Sequence, residues 1–122
     1  MLLDSYYIDG GVLPGHLDML TVLGIEVSSG SLGHGLSIGL GMAISNSRTG
    51  TPGKVFVILG DGECNEGSVW EAMMLGGSLQ LANIVVIIGF NKLQGFGITN
   101  EIINQSNLGE RCIAFGCSYY KG

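Results

Sequence analysis

Two short apolar runs, each halted by glycine, most constrain what this chain can fold into. Val55-Phe56-Val57-Ile58-Leu59 runs into Gly60-Asp61-Gly62, and Ile84-Val85-Val86-Ile87-Ile88 runs into Gly89-Phe90-Asn91. Neither run alternates polar with apolar residues, which predicts strands of a parallel sheet; the first is expected to be buried on both faces. Between them a helix is expected to start near Glu66 or Ser68 and to continue through Trp70, Ala72, Met73, Leu75 and Leu79. That makes a right-handed strand-helix-strand crossover. Parallel neighbours would bring Asp61 and Asn91 out at the same edge of the sheet, where open α/β folds bind ligands. One carboxylate, one amide oxygen and several freed backbone groups suit a hard cation escorting a phosphorylated ligand.

A chain of 122 residues is long enough to form one domain and bury most of its apolar surface. Ten acidic against five basic residues give a formal charge of -5, with no basic block. This argues against a nucleic-acid or anionic-membrane surface. A phosphorylated ligand would therefore have to be neutralised locally, by a bound cation or by helix N-termini. Cys64, Cys112 and Cys117 form an odd set without zinc-like spacing, so reduced thiols in a cytoplasmic setting are expected rather than a disulfide framework. No apolar run approaches the roughly 20 residues of a spanning helix, and no basic-then-apolar leader stands at Met1, so no membrane association is expected. The chain is nevertheless 46% hydrophobic and only 12% charged, with 22 glycines. That balance predicts close backbone packing and a surface covered by another chain or domain.

Residues 1-16 are turn-rich and end in Gly10-Gly11, Pro14-Gly15 and His16; Asp18 to Val27 is irregular and leads into Ser28-Ser29-Gly30-Ser31-Leu32-Gly33. From His34 onward, Leu36, Leu40, Ala43 and Ile44 recur at helical spacing, with exit and turn expected from Asn46 to Gly53. Lys92 to Thr99 is expected as a glycine-punctuated loop, Asn100 to Leu108 as a short helix, and Ala114 to Tyr119 as the beginning of another strand. The fold class expected is α/β: a three-layer, open, mostly parallel sheet with helices on both faces. No linker divides residues 1-122, and so few strands make the layer fold look unfinished, as in a fragment or one piece of a larger assembly.

Asp61 is the strongest local candidate, because its flanking glycines permit a tight turn and let backbone N-H groups approach a ligand. Asn91 would add a neutral oxygen and Leu93 its backbone carbonyl, with diphosphate oxygens and water completing an octahedral magnesium site. The plainer alternative makes Gly60-Asp61-Gly62 a turn and Asn91 a cap. Glu63, Glu66 and Glu71 could suggest an all-carboxylate site, but their spacing does not demand one. Glu66 is assigned a role in a network beside the site, and Glu63 and Glu71 ordinary solvent or contact roles. His16 and His34 can transfer protons near neutral pH, and each lies in or beside a glycine-rich loop. Ser31 and Leu32 are placed in a loop that could touch an organic ring. Cys64 lacks a partner histidine at informative spacing, which disfavours thiol catalysis.

Gly60-Asp61-Gly62, with Asn91 following 29 positions after Gly62, resembles the thiamine-diphosphate motif. The blocks SSGSLGHGLSIGLGMA, GDGECNEGSVWEA and NKLQGFG, in that order, resemble the transketolase family in particular. The resemblance runs from about residue 14 to residue 122. It implies a partial thiamine-diphosphate-binding fold similar to the amino-terminal component of a split transketolase, using thiamine diphosphate and Mg2+. Asp61, Asn91 and the Leu93 carbonyl would be magnesium ligands, and Gly60 and Gly62 would belong to the diphosphate turn. His16 would stand beside the reactive ring and the sugar. Ser31, Leu32 and Gly33 would touch the cofactor, and Glu66 would join an interface network. Leu17 and Phe90 depart from the family's usual proline and polar residue.

The activity implied is transfer of a two-carbon ketol unit from a ketose phosphate to an aldose phosphate. The glutamate that activates the cofactor lies, in this family, on a pyrimidine-binding domain that the 122 residues do not contain. The chain is thus expected to need such a domain, or a carboxy-terminal subunit, in a homo- or hetero-oligomer. Alternatives are a non-catalytic interaction subunit of a thiamine-diphosphate assembly and a component of a deoxyxylulose-phosphate-synthase-like enzyme.

Overall fold

The β-branched runs form the two strands expected of them. Val55–Gly60 (β1) and Ile84–Gly89 (β2) pair in parallel, in register from Val55 opposite Ile84 to Gly60 opposite Gly89. The computed structural model describes residues 2-122, which fall into one unit ending at Ser31 and a second, Leu32–Gly122. Among the described residues of the second unit, helices His34–Thr49 (α1) and Gly67–Ser78 (α2) frame β1 in sequence, and α2 supplies the crossover to β2. α1 runs three residues past Asn46, where its exit was expected to begin.

The core joins Leu36 and Leu40 of α1, Val57 and Leu59 of β1, and Val69, Ala72 and Met73 of α2. Each such aliphatic side chain removed from water contributes about 1.5–3 kcal/mol before the entropy of ordering is subtracted. Along β1 burial alternates: Val57 and Leu59 are 8% and 2% exposed, Phe56 and Ile58 63% and 76%. The expectation that this strand is buried on both faces is therefore corrected. Side chains alternate across a strand, and those of Val57 and Leu59 share the helical core while Phe56 and Ile58 project from the other face.

The loop expected over Lys92 to Thr99 contains a small antiparallel ribbon, Leu93–Gln94 (β3) paired with Gly97–Ile98 (β4). The helix expected over Asn100 to Leu108 is a single turn, Thr99–Ile102 (α3). Asn100 and Asn104 end it by taking local backbone partners, the N-H groups of Gln105 and Ser106. The strand expected from Ala114 is not formed. Leu108–Ala114 is a helix (α4), closed by Gly116 at φ 87, with Gly116 N-H bonded to Ile113 O and Cys117 N-H to Cys112 O. Those two bonds make a Schellman close, which turns the chain away instead of extending it.

The first unit is built of turns, as its sequence predicts. It has a 3-10 turn at Leu2–Ser5, an isolated bridge between Tyr6 and Leu13, and Asp18 Oδ1 accepting from Leu20 N and Ser28 Oγ.

All three cysteines are free thiols. Cys64 is 1% exposed, and burial chiefly, with smaller contributions from Cys112, Glu63 and Asp61, pushes its thiol from 9.0 up to about 12. A thiol whose folded pKa is raised stabilises the fold fully below its unfolded pKa. That stability is lost as pH rises from about 9 towards 12, at a slope near 1.4 kcal/mol per unit from this group. We expect chemical-denaturation midpoints to fall across that window, and Cys64 to resist iodoacetamide at pH 8 until the chain unfolds. Rapid alkylation of Cys64 in the folded chain would contradict this burial.

Candidate functional site

Equal strand lengths in register bring Asp61 and Asn91 to one edge. The ladder continues one step beyond β1, with Asp61 N donating to Gly89 O at 3.2 Å. Asp61 is 1% exposed, and a carboxylate so placed needs donors. Its Oδ1 accepts from Gly62 N at 3.1 Å; its Oδ2 accepts from Lys92 N at 2.9 Å and Thr99 Oγ1 at 3.0 Å. Oδ1 thus retains a lone pair.

Asn91 is exposed, and its Oδ1 accepts from Leu93 N at 2.9 Å, an Asx turn that orients the amide oxygen and leaves it further acceptor capacity. Between them Lys92 adopts φ 65, an uncommon conformation for a residue with a side chain. This twist aims Lys92 N-H at Asp61 while Lys92 O accepts from Thr99 N. The loop from Lys92 to Thr99 is therefore fastened to Asp61 at both ends.

Gly62 and Gly33 form close-fitting turns. A Cβ on Gly62 would fall 2.6 Å from both Cβ and Oε1 of Gln94. Gly33 takes φ 83, and a Cβ there would fall 2.6 Å from Glu66 Cβ and 2.7 Å from Ser68 Oγ. Glu63 ties the two glycine turns together: Oε1 accepts from Gly33 N at 2.9 Å and Oε2 from Gly60 N at 3.4 Å. Ser68 Oγ donates to Gly33 O at 3.0 Å.

Glu63, expected as an ordinary contact residue, is thus a structural clamp. The one signal for it in the sequence is its position three residues after Gly60. Thr99 carries no comparable signal in the sequence, although its hydroxyl reaches Asp61. Glu66 is exposed, and its methylenes lie against Gly33. Leu32 and Leu93 are 57% and 59% exposed. His34 opens α1 and is exposed. In the first unit Ser31 and His16 are exposed, with the His16 ring beside Gly30.

Among the described residues no three His, Cys, Asp or Glu side chains converge on a metal position, so Glu63, Glu66 and Glu71 do not form an all-carboxylate site. The donors at the strand ends are instead one carboxylate, one amide oxygen and backbone carbonyls, a set that suits a hard divalent cation sharing its coordination with a ligand. One observation fits a phosphorylated ligand at the adjoining turn: Gln94 Nε2 is a buried donor with no acceptor among the described residues. A surface depression between Asn46, Pro52, Lys54 and Gln80 lies elsewhere and contains none of these groups.

A parallel strand pair joined by a crossover helix, with an acid and an amide at one edge, defines an α/β domain. The chain belongs to the family described as "Transketolase, thiamine diphosphate binding domain", which it matches over residues 3–118. It resembles the amino-terminal part of split bacterial transketolases. It is 45% identical over 107 residues to an apulose-4-phosphate transketolase subunit of Phocaeicola vulgatus, covering 88% of this chain and 38% of that protein. It is 39% identical over 115 residues to the 6-deoxy-6-sulfo-D-fructose transketolase subunit SqwG of a Clostridium species, covering 94% and 42%. The chain thus spans about two fifths of the length of these curated relatives. Among solved structures it is similar to a transketolase of Campylobacter jejuni, with TM-score 0.83 and 29% identity over 94% of this chain and 19% of the other. A Pichia stipitis transketolase variant in complex with fructose 6-phosphate gives TM-score 0.85 and 30% identity, over 94% and 18%.

Proposed function

We propose that this chain is the diphosphate- and magnesium-binding portion of a thiamine-diphosphate-dependent transketolase. The enzyme would transfer a two-carbon ketol unit from a ketose phosphate to an aldose phosphate. The observation that carries the reading is the buried Asp61 carboxylate at the same edge as Asn91, just beyond the ends of paired parallel strands, in a member of this family.

Asp61, Asn91 and the Leu93 carbonyl would hold Mg2+, and the Gly60 to Gly62 turn would take the diphosphate. Bound thiamine diphosphate supplies the electron sink for carbon-carbon cleavage and ligation. Glu63 keeps the Gly33 and Gly60 turns in place, and Ser31, Leu32 and Gly33 would contact the cofactor. His16 would steer a sugar hydroxyl or move a proton at its imidazole nitrogens. Glu66, exposed beside Gly33, would join the network at the interface with a second subunit.

That second subunit would carry a pyrimidine-binding domain. Relatives named as subunits support such a partner, as do the exposed Phe56 and Ile58, which further parts of a three-layer sheet would cover. Free thiols fit a cytoplasmic setting. Among the described residues no helix is long and apolar enough to cross a membrane.

Calorimetry with magnesium and thiamine diphosphate, with and without the complementary subunit, tests the assignment. We expect magnesium-dependent binding in the assembly and no ketol transfer by the 122-residue chain alone. Turnover by the verified pure chain, or an assembly that takes up no cofactor, would overturn it.

A further inference from the structure

Four polar side chains behind the Gly62 turn form a chain of hydrogen bonds with one direction. Arg111 Nη1 donates to Gln105 Oε1 at 2.8 Å, Gln105 Nε2 donates to Asn65 Oδ1 at 2.5 Å, and Asn65 Nδ2 donates to Gln94 Oε1 at 3.1 Å. Gln105 is 1% exposed, and the chain ends in the buried Gln94 Nε2, which has no acceptor among the described residues.

The direction has a physical origin. A guanidinium offers donors and no acceptor, so Gln105 must present its oxygen to Arg111 and its amino group to Asn65. Asn65 then turns its oxygen towards Gln105 and its amino group towards Gln94. Arg111 is held independently of this chain, since Nη2 donates to Asn104 O at 2.8 Å and its guanidinium carbon lies 5.4 Å from the centre of the Trp70 ring. Trp70 is fixed in turn by Nε1 donating to Cys64 O at 2.8 Å. The reverse order would pair Gln94 Nε2 with Asn65, but it would set two donors face to face at Arg111. The end of the chain lies against the candidate site, because the Gln94 oxygen occupies the space that a Gly62 side chain would need.

We propose that Gln105 is a positioning residue for the cofactor turn. Together with Arg111 it decides which end of the Gln94 amide faces Gly62. The oxygen lies in the close contact, where an amino group would press its hydrogens on the glycine, and the turn keeps the shape that admits the diphosphate. This inference rests on the reading of Gly62 as part of the diphosphate site.

Gln105→Glu reverses the chain without removing it. The carboxylate accepts from both Arg111 and Asn65 Nδ2, which turns the Asn65 oxygen to Gln94 Nε2. In 15N-correlated spectra of the assembled protein, the Gln94 side-chain amide protons should move downfield as they gain an acceptor. Calorimetric Kd for magnesium thiamine diphosphate should rise about tenfold, equivalent to about 1.4 kcal/mol. Arg111→Met keeps apolar contact with Trp70 but frees the order, and a rise of about threefold is expected. A role in packing alone predicts unchanged affinity in a folded Gln105→Glu protein, and that result, with the Gln94 resonances shifted, would overturn the proposal. So would Gln94 amide protons already hydrogen-bonded in the unsubstituted protein. If Gln105→Glu does not fold, Arg111→Met decides: unchanged affinity there rejects the proposal. Absence of binding by the unsubstituted assembly, or binding unaltered by Asp61→Ala, would reject the underlying site as well.

Discussion

Asp61→Ala should abolish measurable uptake of magnesium thiamine diphosphate by the assembled protein and lower its unfolding free energy by about 3 kcal/mol. The double effect follows from the geometry. The substitution removes the one carboxylate of the proposed cation site, and it strands Gly62 N, Lys92 N and Thr99 Oγ1, all of which donate to Asp61. An unsatisfied buried donor costs about 1–3 kcal/mol, and water entering the vacated space recovers part of the sum. Lys92 would also lose the contact that holds its φ of 65. Asp61→Asn separates the two effects. It keeps the shape and one acceptor oxygen, so the stability loss should shrink to about 1–2 kcal/mol, while binding should still fall at least 100-fold for want of the charge. Urea denaturation and calorimetry on the same preparations give both quantities. Tight magnesium-dependent binding by Asp61→Asn would remove Asp61 from the metal set.

The largest expected effect on the fold alone is at Gly77. It lies in α2 and is buried, and a Cβ there would run into the carbonyl oxygen of Phe115 and stand 2.9 Å from the carbonyl carbon. The obstacle is backbone at the close of α4, so no rotamer change relieves it. Gly77→Ala should cost about 3 kcal/mol through the forced separation of the helices, of which the better helix propensity of alanine returns about 1 kcal/mol. Gly41→Ala is the control. That glycine lies in the middle of α1, is exposed and has nothing within 4 Å of an added Cβ. It should therefore gain about 0.5–1 kcal/mol. Equal midpoints for the two variants in urea would mean that α2 and the end of α4 do not meet as described.

The strand-helix-strand unit was legible because its signals are local and agree. Apolar runs bounded by glycine gave β1 and β2, and helical spacing after Ser68 gave α2 close to its observed limits. The emergence of Asp61 and Asn91 at one edge followed from pairing alone. Other features depend on information that single residues do not carry. Glu63 binds two backbone N-H groups, of Gly33 and Gly60, which no side-chain pattern announces. Thr99 reaches Asp61 across 38 positions of sequence. Ala114 to Tyr119 looked like a strand because it is apolar and aromatic, but the Schellman close at Gly116 decided its path. Phe56 and Ile58 read as core because they are large and apolar, yet composition does not say which face of β1 the helices occupy.

The residue-for-residue match of β1 with β2 makes strand length a quantity that the chain cannot alter freely. One residue added inside β1 would shift Asp61 about 3.3 Å along the sheet relative to Asn91 and reverse which side of the sheet each following side chain meets. The same addition in the Gln80 to Asn83 turn would leave both strand ends where they are. Within this region, tolerance to insertion is therefore set by whether a position lies between the two aligned ends or outside them, even for residues that never touch a ligand.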